Sequence, residues 1–242
     1  FLLGAMDQVT TSPFKPVNHY NGWMDELRIW NVGLTASHLR SMMNQEIENN
    51  NGNVKGSTIP LDINNLSWSN LEGYYQMNQS TDIVSGNLQP IYGSTQGRLR
   101  NSDTYQAETA PLPYTSGKDG NWATTGASSP WTYCSGVWSS PNSIGIDGIT
   151  EVDWNIIKIS HNITIDTKNV IVLGLLQDPS TSLIVTNSGT QDETNPGHSL
   201  RVTNYLQLNG VIDLIGESQL LQDEGSVLAV NSSGTLERDQ QG

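Results

Sequence analysis

Over the second half of the chain, apolar and polar residues alternate in short bursts, and each burst ends at Gly, Asn or Asp. The runs are Ile156–Ile159, Ile163–Ile165, Val170–Leu173, Leu183–Val185, Leu200–Val202, Leu206–Leu208, Val211–Ile215, Leu220–Leu221 and Val227–Val230. A period of two predicts strands with one buried face, and the turn residues between them predict frequent reversals. Towards the C-terminus Gly216, Gly225 and Gly234 recur nine residues apart. Two architectures fit: a right-handed parallel β-helix, in which short strands stack as solenoid rungs, or a β-sandwich. Runs this short suit rungs better than sandwich strands, so the solenoid is the preferred expectation for residues 119–242. It places Ile163, Ile165, Leu183, Val185, Leu206, Leu208 and Leu214 inward.

The first half is patterned differently. Phe1 to Ala5 reads as a short strand and Gly22 to Trp30 as a longer one. In the longer strand Trp23, Leu27 and Ile29 share one parity and Met24 and Trp30 the other. Bulk on both faces predicts a buried strand, bulged near Asp25-Glu26. Thr35 then caps a short helix with Leu39, Met42 and Met43 on its apolar face. Residues 48–67, with Asn49 to Asn53 and Lys55-Gly56-Ser57, read as a linker. Residues 68–118 read as a second, smaller β unit.

Composition agrees with an all-β fold. Charged residues make up 14% of the chain and hydrophobic ones 35%, with Gly, Ser, Thr and Asn filling the turns. The net charge of −13 and the lack of any Lys or Arg run argue against nucleic acid and against an anionic membrane surface. No Asp-x-Asp-x-Asp-Gly run is present, so no cofactor is expected, with structural Ca2+ left open. Cys134 is the single cysteine, which rules out an internal disulfide and reads as a small buried hydrophobe. The longest apolar run, Val170 to Leu176, falls far short of the ~20 residues of a transmembrane helix. Phe1-Leu2-Leu3 has no basic n-region, and both ends are expected to be truncations of a longer protein.

Candidate chemistry is sparse. His19, His38, His161 and His198 lack metal-site spacing, and His161, between two apolar runs, is expected at a rung corner. Asp213 with Glu217, and Asp223 with Glu224, are spaced as carboxylate pairs, yet outward solvated faces explain them as well. With no nucleophile, base or metal constellation in view, the chain is expected not to be an enzyme. Trp122, Trp131, Tyr133 and Trp138 cluster around Cys134. They are the candidate ligand-binding residues, as a platform for sugar rings. Their other reading, the preferred one, is a cap over the open end of the solenoid.

Several stretches resemble known families. His19 to Asn31, reading His-Tyr-Asn-Gly-Trp-Met-Asp-Glu-Leu-Arg-Ile-Trp-Asn, followed by Gly33-Leu34-Thr35, resembles the end of a laminin-G-like, concanavalin-type jelly roll. The family places a Glu where this chain has His38, which implies a weaker helix cap. Trp68 to Met77, with Asp82 and Gly86, resembles the opening strand of a second such jelly roll. On this resemblance residues 1–47 end one jelly roll, 48–67 link, 68–118 bridge, and 119–242 form the solenoid-like module. Glu108 to Thr115, Asp119 to Trp122, Val152 to Ile156, Ser160 to Ile163, Gly210 to Leu220 and Leu236 to Gly242 resemble large secreted proteins of Bacteroidota, gliding flavobacteria in particular. That resemblance implies an extracellular, outer-surface location. It also implies export by the type IX secretion translocon or surface-attachment machinery as first partner, and a role in adhesion or gliding. Extracellular polysaccharide is then the candidate ligand. The alternative is an accessory region of a secreted polysaccharide-degrading enzyme.

Overall fold

The structure is a computed structural model and describes residues 3–7, 16–22, 24–77, 87–88, 90–98, 113–132, 140–187 and 197–239. Apart from one α-helix and two 3-10 turns, every regular element among them is a strand, as the alternation predicts.

The N-terminal part begins with β1 (Met6–Asp7) and β2 (Pro16–Val17), a minimal antiparallel pair. β3 (Leu27–Trp30) is shorter than expected, because Glu26 takes a left-handed φ of 52° and ends the extended run there. α1 (Ala36–Met42) follows. Thr35 Oγ1 accepts from the His38 backbone N–H at 3.1 Å, and the Thr35 N–H donates to His38 Nδ1 at 3.3 Å. The imidazole therefore closes a capping box of its own. Thr35→Ala should cost about 1 kcal/mol. His38→Ala should lose a part of that amount and His38→Gln little. Thermal melts of the three variants check this, and equal midpoints for all would show that the cap contributes nothing.

Residues 48–67 are not a linker. β4 (Ile47–Asn50), β5 (Asn53–Gly56) and β6 (Asp62–Ser67) form an antiparallel meander. Asn51 and Gly52 turn the first hairpin with φ of 51° and 93°, the conformation for which Asn-Gly is selected. The many asparagines hide the apolar positions. Ile47, Val54, Ile63 and Leu66 are buried with Met42 of α1, while the Asn side chains occupy the turn and outer face. A 3-10 turn, Trp68–Asn70, leads into β7 (Leu71–Tyr75), which pairs antiparallel with β3. Leu71 and Tyr74 join the same core, so residues 27–75 make one unit and the expected boundary at residue 68 is corrected. β8 (Asn87–Leu88) and β9 (Gly97–Arg98) add a small hairpin.

From Tyr114 the chain runs as stacked coils, earlier than the expected start at residue 119. Each coil gives one strand to each of two facing sheets. β10 (Tyr114–Ser116) and β11 (Gly120–Asn121) form the first coil, and β12 (Trp131–Thr132) lies antiparallel on β10. β13 (Ile156–Ile159) and β14 (Ile163–Ile165) form the second, and β15 (Val170–Gln177) and β16 (Ser182–Val185) the third. β17 (Ser199–Leu208) and β18 (Val211–Ile215) make the fourth, with the runs at Leu200 and Leu206 merged into one strand. In the last coil the first sheet receives two strands, β19 (Gln219–Gln222) and β20 (Val227–Val230), and the second receives β21 (Thr235–Asp239).

Every coil-to-coil pairing is parallel. The two sheets face each other as in a sandwich, but the parallel stacking is that of a solenoid. Apolar ladders fill the space between them: Ile157, Leu175 and Leu206 stack in one sheet, and Ile163, Leu183 and Ile212 in the other. All seven residues expected inward are buried.

A third small core joins the two parts. Ile59, from the loop before β6, packs with Ile156, Leu173 and Tyr205 on the outside of the first solenoid sheet. Gly174 leaves room for it, since a Cβ there would lie 2.6 Å from Ile59 Cδ1. Asn44 donates to the Trp154 carbonyl at 2.8 Å, and Arg40 pairs with Asp153 at 3.0 Å.

Candidate functional site

An open cleft of about 530 Å³ lies beside β3 and α1. Its walls are apolar and rich in methionine: Leu3, Met24, Leu27, Trp30, Leu34, Leu39, Met42, Met43 and Met77, with Asp25, Glu26 and Arg28 among them. The helix face expected from the sequence explains the opening. Met42 is buried in the core, whereas Leu39 and Met43 stay half exposed and line the cleft.

Beneath this apolar lining lies a buried ionic cluster that sequence reasoning missed. Glu26 Oε2 accepts from the Tyr74 hydroxyl at 2.5 Å and from Arg28 Nη2. Arg28 also donates to the carbonyls of Met42 at 2.9 Å and Gln45 at 2.7 Å. Its guanidinium sits 5.3 Å from the Tyr74 ring centroid, within cation–π range. The Glu26 and Arg28 side chains are 8% and 9% exposed. Desolvation pushes the Glu26 carboxyl above its usual range, against the opposing pull of Tyr74 and Arg28. Burial and the bond to Glu26 push the Tyr74 hydroxyl up to about 12. Together these bonds tie β3 to β7 and to the end of α1. The one sequence signal was the charged Asp-Glu-Leu-Arg run inside an otherwise apolar strand.

The raised carboxyl has a testable consequence. Folded Glu26 keeps its proton to higher pH than the unfolded side chain, whose reference value is 4.5. Between those two values the native state binds more protons, so Glu26 costs stability as pH rises through the window. The stability of Glu26→Gln relative to wild type should therefore increase with pH across that window. Urea midpoints at a series of pH values test this; an offset that does not change with pH would contradict it.

The residues singled out from sequence fall in several places. Trp122 and Trp131 are packed inside the solenoid core, 1% and 0% exposed, with ring centroids 4.6 Å apart and planes at 69°. Trp131 Nε1 donates to the Trp122 carbonyl at 2.8 Å, as does Ser140 Oγ. Enclosed in this way, neither ring presents a face to a sugar, which corrects their candidacy as a binding platform. Tyr133, Trp138 and Cys134 lie outside the described residues. Asp213 stands on the outer face of the second sheet, in register with Ile184 and Glu237. Asp223 is held by Arg201 through bonds of 2.7 and 2.9 Å, while Glu217 and Glu224 sit in turns. His161 lies at the bend between β13 and β14, with Nδ1 2.8 Å from the Ser116 carbonyl. Among the described residues no three His, Cys, Asp or Glu side chains gather as a metal site would need, and no helix is long and apolar enough to cross a membrane. Neither a protein-family model, nor a curated protein, nor a solved structure matches this chain.

Proposed function

We propose that this chain is a non-catalytic segment of an exported cell-surface adhesin or scaffold, carried to the outer surface by a type IX route and meeting extracellular polysaccharide there. One observation carries the reading. On the outer face of the second solenoid sheet, Asn121, Thr164, Ile184, Asp213 and Glu237 fall in one ladder, one side chain per coil. Strand spacing sets these side chains about 4.8 Å apart on a rigid, mostly polar strip. Such a strip suits a hydrated polymer, which it meets through many weak hydrogen bonds instead of one deep pocket.

Two further properties favour export. The single cysteine needs no oxidative step before passage across a membrane. A stack of coils makes its contacts with neighbouring coils, so it can fold progressively as it emerges. The resemblance to secreted Bacteroidota proteins points the same way. The test is to label the source cells with an antibody raised against this chain. Labelling of intact cells that disappears when the type IX translocon is disabled is the expected result. Labelling only after permeabilisation would refute the surface assignment, and surface labelling that persists without the translocon would refute the route.

A further inference from the structure

We propose that Asn51 is a modification site, at which the side-chain amide is lost by cyclisation onto the Gly52 nitrogen, and that Asn49 sets the rate. The chain holds three Asn-Gly pairs, at Asn21, Asn51 and Asn209. Glycine has no Cβ to shield its nitrogen, so such a pair leaves the asparagine carboxamide open to attack by the next backbone nitrogen. The structure treats the three pairs differently.

Asn209 is 5% exposed at the turn from β17 to β18, and its carbonyl accepts from Ser233 Oγ at 2.7 Å. Gly210 is pressed against the Thr181 carbonyl oxygen, 2.3 Å from where a Cβ would sit. At Asn21 the Tyr20 ring lies over Gly22, with its hydroxyl 2.5 Å from the corresponding position. Asn51 and Gly52 are both exposed at the tip of the β4–β5 hairpin, and nothing lies within 4 Å of a Cβ added to Gly52. Of the three pairs, this one has the most room to close a five-membered ring.

One bond stands in the way. The Gly52 N–H donates to Asn49 Oδ1 at 2.8 Å. While that bond is made the proton stays on nitrogen, since an amide oxygen is too weak a base to remove it. The Asn51 carboxamide is held more loosely, its Nδ2 3.4 Å from Asn50 Oδ1. When Asn49 lets go, hydroxide takes the Gly52 N–H proton and the nitrogen bonds to Asn51 Cγ. The bond from Cγ to Nδ2 breaks, and ammonia leaves with a proton taken from water. Water then opens the imide at either carbonyl, leaving an aspartyl or an isoaspartyl link. The isoaspartyl link adds a methylene to the backbone of a two-residue loop, whose length sets the Asn50–Asn53 and Asn49–Val54 register. Either product adds a charge next to Asn50, whose Nδ2 donates to the Asp62 carboxylate at 2.7 Å. Conversion therefore loosens the hairpin.

Peptide mapping by mass spectrometry, on the full chain held at mildly alkaline pH, tests the proposal. In the folded chain Asn51 should convert ahead of Asn21 and far ahead of Asn209, and faster as pH rises. In urea the three rates should converge. Asn49→Ala should speed conversion at Asn51 about fivefold, the worth of one net hydrogen bond. It should leave the Asn209 rate and the far-ultraviolet circular dichroism spectrum unchanged. Asn49→Asp keeps an oxygen acceptor at the same place and should stay slow. An Asn51 that outlasts Asn21 or Asn209, the same order of rates folded and unfolded, or an Asn51 rate indifferent to Asn49→Ala would each overturn the proposal.

Discussion

Leu206→Ala is expected to cost about 3 kcal/mol, and Leu228→Ala, next on the same ladder, less than about 1 kcal/mol under conditions that keep the chain monomeric. Both leucines belong to one row, and the register runs Ile157, Leu175, Leu206, Leu228. Leu206 is fully enclosed between its neighbours on the row and the opposite sheet. Truncating it leaves a void that the two sheets can close only by breaking strand pairing. Leu228 has a coil on one side alone and is 51% exposed, so its methyl groups give up little contact when removed. The chemistry of the change is identical, which isolates position on the stack as the cause. Stability falls out of step with the size of the side chain and in step with the number of coils that flank it. Urea titrations at low protein concentration measure both. Equal losses would mean that flanking coils do not set the cost of the truncation.

Gly210→Ala should be strongly damaging to the solenoid. Gly210 turns the chain from β17 into β18, where the next coil presses against the one before. A Cβ at this position would lie 2.3 Å from the Thr181 carbonyl oxygen and 3.0 Å from that of Asp178. Both are backbone atoms, so no side-chain rotation relieves the overlap. The methyl would also press on Gln177, a fully buried side chain whose Nε2 donates to the carbonyls of Thr181 at 3.0 Å and Val211 at 2.8 Å. Relief requires parting two coils or breaking one of those bonds. A loss of about 2–3 kcal/mol follows from overpacking with a compromised buried hydrogen bond. Gly33→Ala is the control. Nothing lies within 4 Å of its added Cβ, so it should be neutral or slightly stabilising by reducing the freedom of the unfolded chain. If the two variants melt together, the close approach at Gly210 is not a constraint.

Much of the solenoid was legible because its signal is local. A strand with one face in a core must alternate, whatever it pairs with, so Ile163, Leu183 and Leu206 announce their direction from their immediate neighbours. Short runs and regular glycines narrowed the choice to a stack or a sandwich. The region before it was read less well, and Asn-rich composition is the reason. Asn51-Gly52 is a hairpin turn, but beside Asn49, Asn50 and Asn53 it passed for a linker, and the isolated apolar residues Val54, Ile63 and Leu66 carried too few repeats to declare a period. His38 shows a related limit. The spacing of a capping box was present, yet the residue type obscured it until geometry put Nδ1 against the Thr35 amide.

By itself, then, the sequence determined the all-β character, the positions of the solenoid strands and which side of each faces inward. These follow from periodicity over a few residues. Tertiary structure alone decided that β7 returns to β3, that Glu26, Arg28 and Tyr74 meet out of water, and that Trp122 and Trp131 are enclosed. It also decided that β12 lies along the outer edge of β10 at the first coil. Each of these depends on a partner tens of residues away. Desolvation and strand pairing are properties of what closes over a residue, and alternation along the chain carries no record of that.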